Sequence, residues 1–234
     1  MLKKIISKFL SLYYKSSNIR FCNYLRNKGI YIGNNVSFRA RTTCIDMTRP
    51  SLVSIGNNCY FNEYFTILTH DYVSKVFIQS GREFLPSSGR VRIGNNVSTG
   101  ANVTILKGVT IGDNVFIGAN STVTKDIPSN SIAVGQPCRV IMSLEDYYQK
   151  RKIECIKEAI DYAKSIQERF KRKPIIDDFW EEFPLFIDSS NIEDYSEFTS
   201  IIKRQCGVSY ERFITQHKAK FHSFEDFLRE AGIE

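Results

Sequence analysis

The chain has 234 residues, 42% hydrophobic and 24% charged, with a net charge of +7 at pH 7, the balance of an ordinary soluble globular protein. No stretch reaches the ~18–20 apolar residues of a membrane-spanning helix. Cys22, Cys44, Cys59, Cys138, Cys155 and Cys206 are scattered without a CxxC pair, which argues against a zinc ribbon or a redox dithiol and fits free thiols in a reducing cytoplasm.

Residues 1–28 form a basic opening. In MLKKIISKFLSLYY, Lys8 interrupts a short apolar run and no small-residue cleavage site follows, so a secretory signal is not expected. Leu2, Ile5, Ile6, Phe9, Leu10 and Tyr13 share one side of an amphipathic helix, which either packs on the body or rests on a membrane surface. Lys3, Lys4, Lys8, Lys15, Arg20, Arg26 and Lys28 all precede the first acidic residue, Asp46. Such a segment suits phosphates, an anionic membrane or an anionic sugar polymer, or is simply a solvated cationic face.

Residues 29–142 carry a six-residue period. Ile93, Thr99, Ile105, Ile111, Ile117 and Val123 recur at every sixth place, with Gly94, Gly100, Gly112 and Gly118 following them. Neither a helix (3.6) nor a strand (2) requires that spacing, whereas a β-solenoid does, each hexad being one strand and one corner. The pattern begins at Ile32-Gly33-Asn34-Asn35-Val36, is irregular around Arg49-Pro50, and resumes at Ile55-Gly56-Asn57-Asn58-Cys59. It breaks over residues 70–90, where Gly81, Pro86, Ser87, Ser88 and Gly89 predict a protruding loop, long enough to be functional. SNSIAVGQPCRVI then closes the solenoid as a strand pair or cap. Residues 143–234 are expected to be a helical extension. A long amphipathic helix carrying Ile153, Ile156, Ile160, Ala163, Ile166 and Phe170 stops by Pro174, and short helices follow, with Asp194 and Ser223 as candidate N-caps.

At IGNNVSTGANVTILKGVTIGDNVFIGANSTVTKDIPSNSIAVGQPCRVI the chain resembles the hexapeptide-repeat acetyltransferases, in particular the galactoside, maltose, Nod-factor and polysaccharide O-acetyltransferases. The resemblance spans Ile30 to Ile141. It implies a mainly β protein, a left-handed parallel β-helix with the aliphatic positions stacked inside. It also implies a homotrimer with acetyl-CoA as co-substrate in the groove between neighbouring prisms, and no metal. His70, which follows FTILT and opens the loop, matches the family's catalytic histidine. An imidazole with an unperturbed pKa of about 6.5 suits a base that must deprotonate an alcohol. His217 and His222, in the tail, are read as ordinary residues. A base works better with its second nitrogen held; Asp71 and Glu63 are the nearby carboxylates in sequence, and both stay open.

The resemblance further implies that Thr124, Lys125 and Arg139 meet the phosphate end of the cofactor, and that backbone at Ala101 and Ala119 faces the pantetheine arm. The N–H near Ala101 would then serve the thioester oxyanion. Read without the family, Lys125 and Arg139 are ordinary solvated cations. One departure stands out: where the family commonly has a Trp, as in VWIG, this chain has Val97-Ser98-Thr99-Gly100. The expected function is acetyl transfer to a saccharide hydroxyl, on a cell-surface polysaccharide or its precursor, by a cytoplasmic enzyme, with peripheral contact of the basic N-terminus with a membrane or lipid-linked substrate left open. The other readings are acetylation of a chloramphenicol- or streptogramin-type hydroxyl, N-acylation of a nucleotide amino sugar, and a non-catalytic scaffold. Three His in total, two of them in the tail, leave no ligand set for a zinc hydratase, and no nucleic-acid motif is present.

Overall fold

The computed structural model describes residues 13–233, so most of the expected N-terminal amphipathic helix lies outside the described residues. The chain divides into two compact units between Tyr147 and Tyr148.

In the first unit, short strands enter three sheets in rotation. β1 (Tyr31–Ile32), β4 (Val53–Ile55), β7 (Val91–Ile93) and β10 (Thr110–Ile111) make the first sheet. β2 (Ser37–Phe38), β5 (Tyr60–Phe61), β8 (Val97–Thr99), β11 (Val115–Ile117), β13 (Ser131–Gly135) and β14 (Cys138–Ser143) make the second. β3 (Cys44–Ile45), β6 (Thr66–Ile67), β9 (Thr104–Ile105) and β12 (Thr122–Val123) make the third. Every pair is parallel except β13 with β14, so the chain is a parallel β-helix closed by one antiparallel strand. SNSIAVGQPCRVI is that closing pair.

The six-residue period fixes what is inside. Ile32, Ile55, Ile93 and Ile111 stack in register on the first sheet, and Ile45, Ile67, Ile105 and Val123 on the third, all buried. Burying each contributes about 1.5–3 kcal/mol. The corners need left-handed backbone, and asparagine supplies it: Asn35, Asn58, Asn96, Asn114 and Asn130 all have φ between 53° and 58°. Their side-chain amides continue the stack, Asn96 donating to Asn114 and Asn114 to Asn130, each at 2.9 Å. Glycine precedes this corner because there is no room for more: a Cβ on Gly56 would lie 2.5 Å from the Gly94 carbonyl oxygen.

The helix Asn18–Asn27 covers the open end by burying Phe21, Cys22 and Leu25. Asn18 bonds both the Val36 carbonyl and the Phe38 N–H at 2.8 Å, which blunts an exposed strand edge. Part of the basic opening is spent here. Arg26 donates to the Ile32 and Gly33 carbonyls, and Lys15 to that of Thr43.

The expected loop leaves the third sheet after Thr69 and contains a helix, Val73–Gln79, that its turn-rich flanks gave no sign of. The second unit is helical. The long helix runs Leu144–Phe170, ending before Pro174. Its predicted stripe is only partly buried: Ala163 and Ile166 are inside, joined by Ala159 from beside the stripe, whereas Ile153 and Phe170 are 63% and 68% exposed. The unit has its own core of Phe179, Phe183, Phe186, Phe198, Phe224 and Phe227. Ser223 caps the helix Phe224–Glu230 through the Asp226 N–H (3.1 Å). Asp194 is no cap; it ends a 3-10 turn, and Tyr195 precedes the helix Ser196–Cys206. Among the described residues no helix is long and apolar enough to cross a membrane.

Candidate active site

His70 stands at the corner where the third sheet ends and the insertion begins. Its Nδ1 lies 2.5 Å from Oδ2 of Asp46, and the two side chains are 15% and 5% exposed. A carboxylate only accepts, so Nδ1 donates, and in the neutral ring Nε2 carries the lone pair. That is the tautomer a general base needs. The Tyr72 ring meets the imidazole edge-on with centroids 5.0 Å apart.

Asp46 is held from several directions. Its Oδ1 accepts from the Thr48 N–H (2.9 Å) and hydroxyl (2.7 Å), and its Oδ2 accepts from the Thr69 hydroxyl as well as from His70. Burial pushes its pKa up, but the hydrogen bonds from Thr69, Thr48 and His70 outweigh burial and hold the carboxyl well below the usual range. It is a fixed anion throughout the physiological range.

Neither carboxylate singled out from the sequence takes this place. Asp71, next to His70, points to the other side of the chain. It pairs with the Lys107 ammonium at 2.9 Å and accepts from the Ser87 hydroxyl (2.8 Å) and the Val73 N–H (3.1 Å). These bonds, Lys107 first, lower its carboxyl to about 2. Glu63 is exposed at the start of the third sheet, where its carbonyl accepts from the Asn102 N–H and the Ala101 carbonyl from the Asn120 N–H. Glu63, Ala101 and Ala119 are therefore one column. The strand Thr66–Ile67 separates that column from His70.

The residues matched to the cofactor fall into two groups. Ala101 and Ala119 precede the third sheet, and their corner is so close that a Cβ on Gly100 would lie 2.5 Å from the Ala119 nitrogen. Arg139 belongs to this end, opposite Val134 in the β13–β14 pair; its guanidinium is exposed and donates to the Cys138 carbonyl. Thr124 and Lys125, both exposed, follow β12 and stack below the corner of His70, since Leu68 donates to Ile105 and Leu106 to Val123. One face of the prism, on the order of 15–20 Å at ~3.3 Å per residue, separates the two columns. Within one chain His70 and Ala101 do not meet.

Ser98 lies on the outer face of the second sheet between Tyr60 and Phe116, while Thr99 is buried and accepts from the Asn62 N–H. Among the described residues no group of three or more His, Cys, Asp or Glu is arranged to hold a metal ion.

The family described as bacterial transferase hexapeptide (six repeats) matches residues 90–125. Protein CapG of Staphylococcus aureus is 39% identical over 157 residues, covering 67% of this chain and 88% of CapG. The galactoside O-acetyltransferase of Escherichia coli (strain K12) is 40% identical over 131 residues, or 53% of this chain and 62% of that protein. Among solved structures, a maltose O-acetyltransferase from Clostridium difficile 630 is 29% identical with a TM-score of 0.42, covering 58% of this chain and 83% of the other. The repeat match at its centre and the long match to CapG show that the chain is an acetyltransferase of the hexapeptide-repeat family, a left-handed parallel β-helix with helices at its C-terminal end.

Proposed function

We propose that the protein transfers the acetyl group of acetyl-CoA to a hydroxyl of a saccharide, with His70 as general base and Asp46 as its positioning partner. The observation that carries this reading is the 2.5 Å contact between Asp46 and His70, which leaves Nε2 free at the mouth of the insertion. His70 Nε2 takes the hydroxyl proton as the oxygen attacks the thioester carbonyl. Collapse of the tetrahedral intermediate breaks the C–S bond, and the proton passes from His70 to the leaving thiolate, giving an acetate ester and CoA. The saccharide acceptor rests on the galactoside named in the E. coli relative.

Lys125 and Arg139 are free enough to meet phosphates, and the Gly100–Ala101 and Gly118–Ala119 corners offer backbone close to the surface. They stand across a face from one another, as Ala101 does from His70, which supports a site completed between neighbouring copies in a homotrimer. Backbone N–H groups at the Ala101 column of one copy would then serve the oxyanion beside His70 of the next.

Thiol release from acetyl-CoA with 4-nitrophenyl β-galactoside as acceptor tests the reading. His70→Ala is expected to lower kcat/KM by ~10²–10⁴-fold, the usual contribution of a general base. Asp46→Asn, which keeps the shape but frees the tautomer, is expected to cost at least about tenfold, up to the ~10⁴-fold known for such a change in a Ser-His-Asp triad. Unchanged turnover in His70→Ala would sink the base assignment. Turnover with chloramphenicol but no sugar would replace the acceptor class. Sedimentation that gives a monomer at assay concentration with full activity would end the shared-site reading.

A further inference from the structure

The insertion that follows His70 is closed at its root by one side chain from outside it. Lys107 lies on the coil below, since Leu68 donates to Ile105 and places Lys107 beneath Thr69. Its ammonium pairs with Asp71 on the entering stem at 2.9 Å and donates to the Ser87 hydroxyl on the returning stem. Ser87 in turn donates to Asp71 at 2.8 Å, so the three groups form a closed ring. The stems are held together just beneath it. His70 and Ser88 form an antiparallel bridge, and Gly89 donates to the Thr69 carbonyl at 2.9 Å. The returning stem lies flat on the coil, a Cβ on Gly89 being 2.7 Å from the Gly108 nitrogen. One step further out, the Ser74 hydroxyl bonds the Leu85 carbonyl. Beyond that point the insertion presents apolar groups to solvent, Val76 at 63% and Phe84 at 66% exposure.

We propose that Lys107 is a positioning residue for transfer: by binding Asp71 and Ser87 it locks the two stems of the insertion and fixes the acceptor side of the site beside His70. The inference rests on the acetyl-transfer reading above. Tyr72, whose ring abuts the imidazole, sits between Asp71 and Val73, and the Asp71 carboxylate bonds both Lys107 and the Val73 N–H. Where Lys107 holds Asp71 therefore decides where Tyr72 lies over His70. A lone exposed ion pair contributes little to stability. A cation shared by two stems does something different: it selects one loop geometry among many, and its effect belongs to acceptor binding rather than to folding. Of the cofactor-matched residues, Ala101, Ala119 and Arg139 lie at the far edge of the face, whereas Thr124 and Lys125 stand one coil below Lys107 and bond neither Asp71 nor Ser87.

The test compares Lys107→Met, which keeps the length and removes the charge, with Lys107→Arg, which keeps the charge. Hydrogen exchange of the amides in 71–88 should rise by about tenfold or more in Lys107→Met while those of β9 and β12 stay protected, as expected when a local opening is eased without global unfolding. Lys107→Arg should stay near the wild type. With 4-nitrophenyl β-galactoside, Lys107→Met should raise KM for the sugar by roughly 5–20-fold and KM for acetyl-CoA by much less, the signature of lost acceptor positioning. Unaltered exchange in 71–88 overturns the lock, and an equal rise in both KM values overturns its acceptor-side role. If the wild type does not acetylate the sugar at all, the saccharide reading fails and the exchange experiment still decides the lock.

Discussion

In the repeating unit each buried position is one of a column: Ile105 lies between Ile67 and Val123, and each neighbour is the same kind of residue one coil away. In the helical unit burial has a centre instead. The Phe179 ring meets Tyr162, Phe186, Phe224 and Phe227, all with centroids 5.3–5.7 Å apart. The first arrangement distributes stability along the axis, as nearest-neighbour stacks do, and leaves the corners available for insertions. The second concentrates it in a few rings. All of the chemistry assembled around His70 belongs to the distributed unit, where a site residue is placed by its coil and corner rather than by a tailored pocket.

The contrast is broken most severely at its centre. Phe179→Ala is expected to cost about 3–5 kcal/mol, as large-to-small changes among buried rings do. Trp180 is the single tryptophan and lies in the helical unit, so its fluorescence reports that unit alone. It should lose its transition at lower denaturant, while the circular-dichroism signal of the strands moves far less. Coincident shifts would show that the two cores unfold as one.

A corner change should be smaller and local. Asn114→Ala removes a side chain that accepts from Asn96 and donates to Asn130, and it asks alanine to adopt φ 57°. The left-handed backbone costs roughly 1–2 kcal/mol and the lost hydrogen bonds about 1 more. Asn114→Gly keeps the backbone and loses only the ladder, so a denaturation midpoint between those of the wild type and Asn114→Ala separates the two contributions. The smallest effect is expected at Ser223→Ala, about 1 kcal/mol for a lost N-cap, seen as fraying of the helix Phe224–Glu230 by hydrogen exchange.

The solenoid was legible because its period is in the chain itself, and the interruption at residue 70 marks the insertion with equal clarity. His70 was legible for that reason. Its partner was not, because Asp46 is 24 residues away and the coil between them takes about four residues more than the regular eighteen, around the turn Pro50–Leu52, so counting in eighteens misses it. A usable signal existed: Ile45 and Ile67 occupy the same place in successive coils, which puts Asp46 directly beside the segment leading to His70. Asp71 and Glu63 were favoured by closeness in sequence, which a β-helix does not convert into contact. The same column reasoning finds Lys107. Helix Val73–Gln79 had no apolar period to show, since its side chains are mostly exposed and Ser74 alone is buried. Asp194 failed as a cap because the 3-10 turn Ile192–Asp194 takes it into its own last position, leaving the helix to start after Tyr195.

The hydrogen bond from Gly89 to Thr69 brings the two ends of the insertion to within 2.9 Å, at a place where the coil continues from β6 to β7 as though nothing had been added. The segment between them is a module in the engineering sense. An insertion of different length, or new chain termini opened within it, is expected to leave the register of β6 and β7 unchanged. With the acceptor side of the site on the insertion, as proposed above, recognition of the acceptor and maintenance of the frame would be separable, one carried by the insertion and the other by the stacked coils.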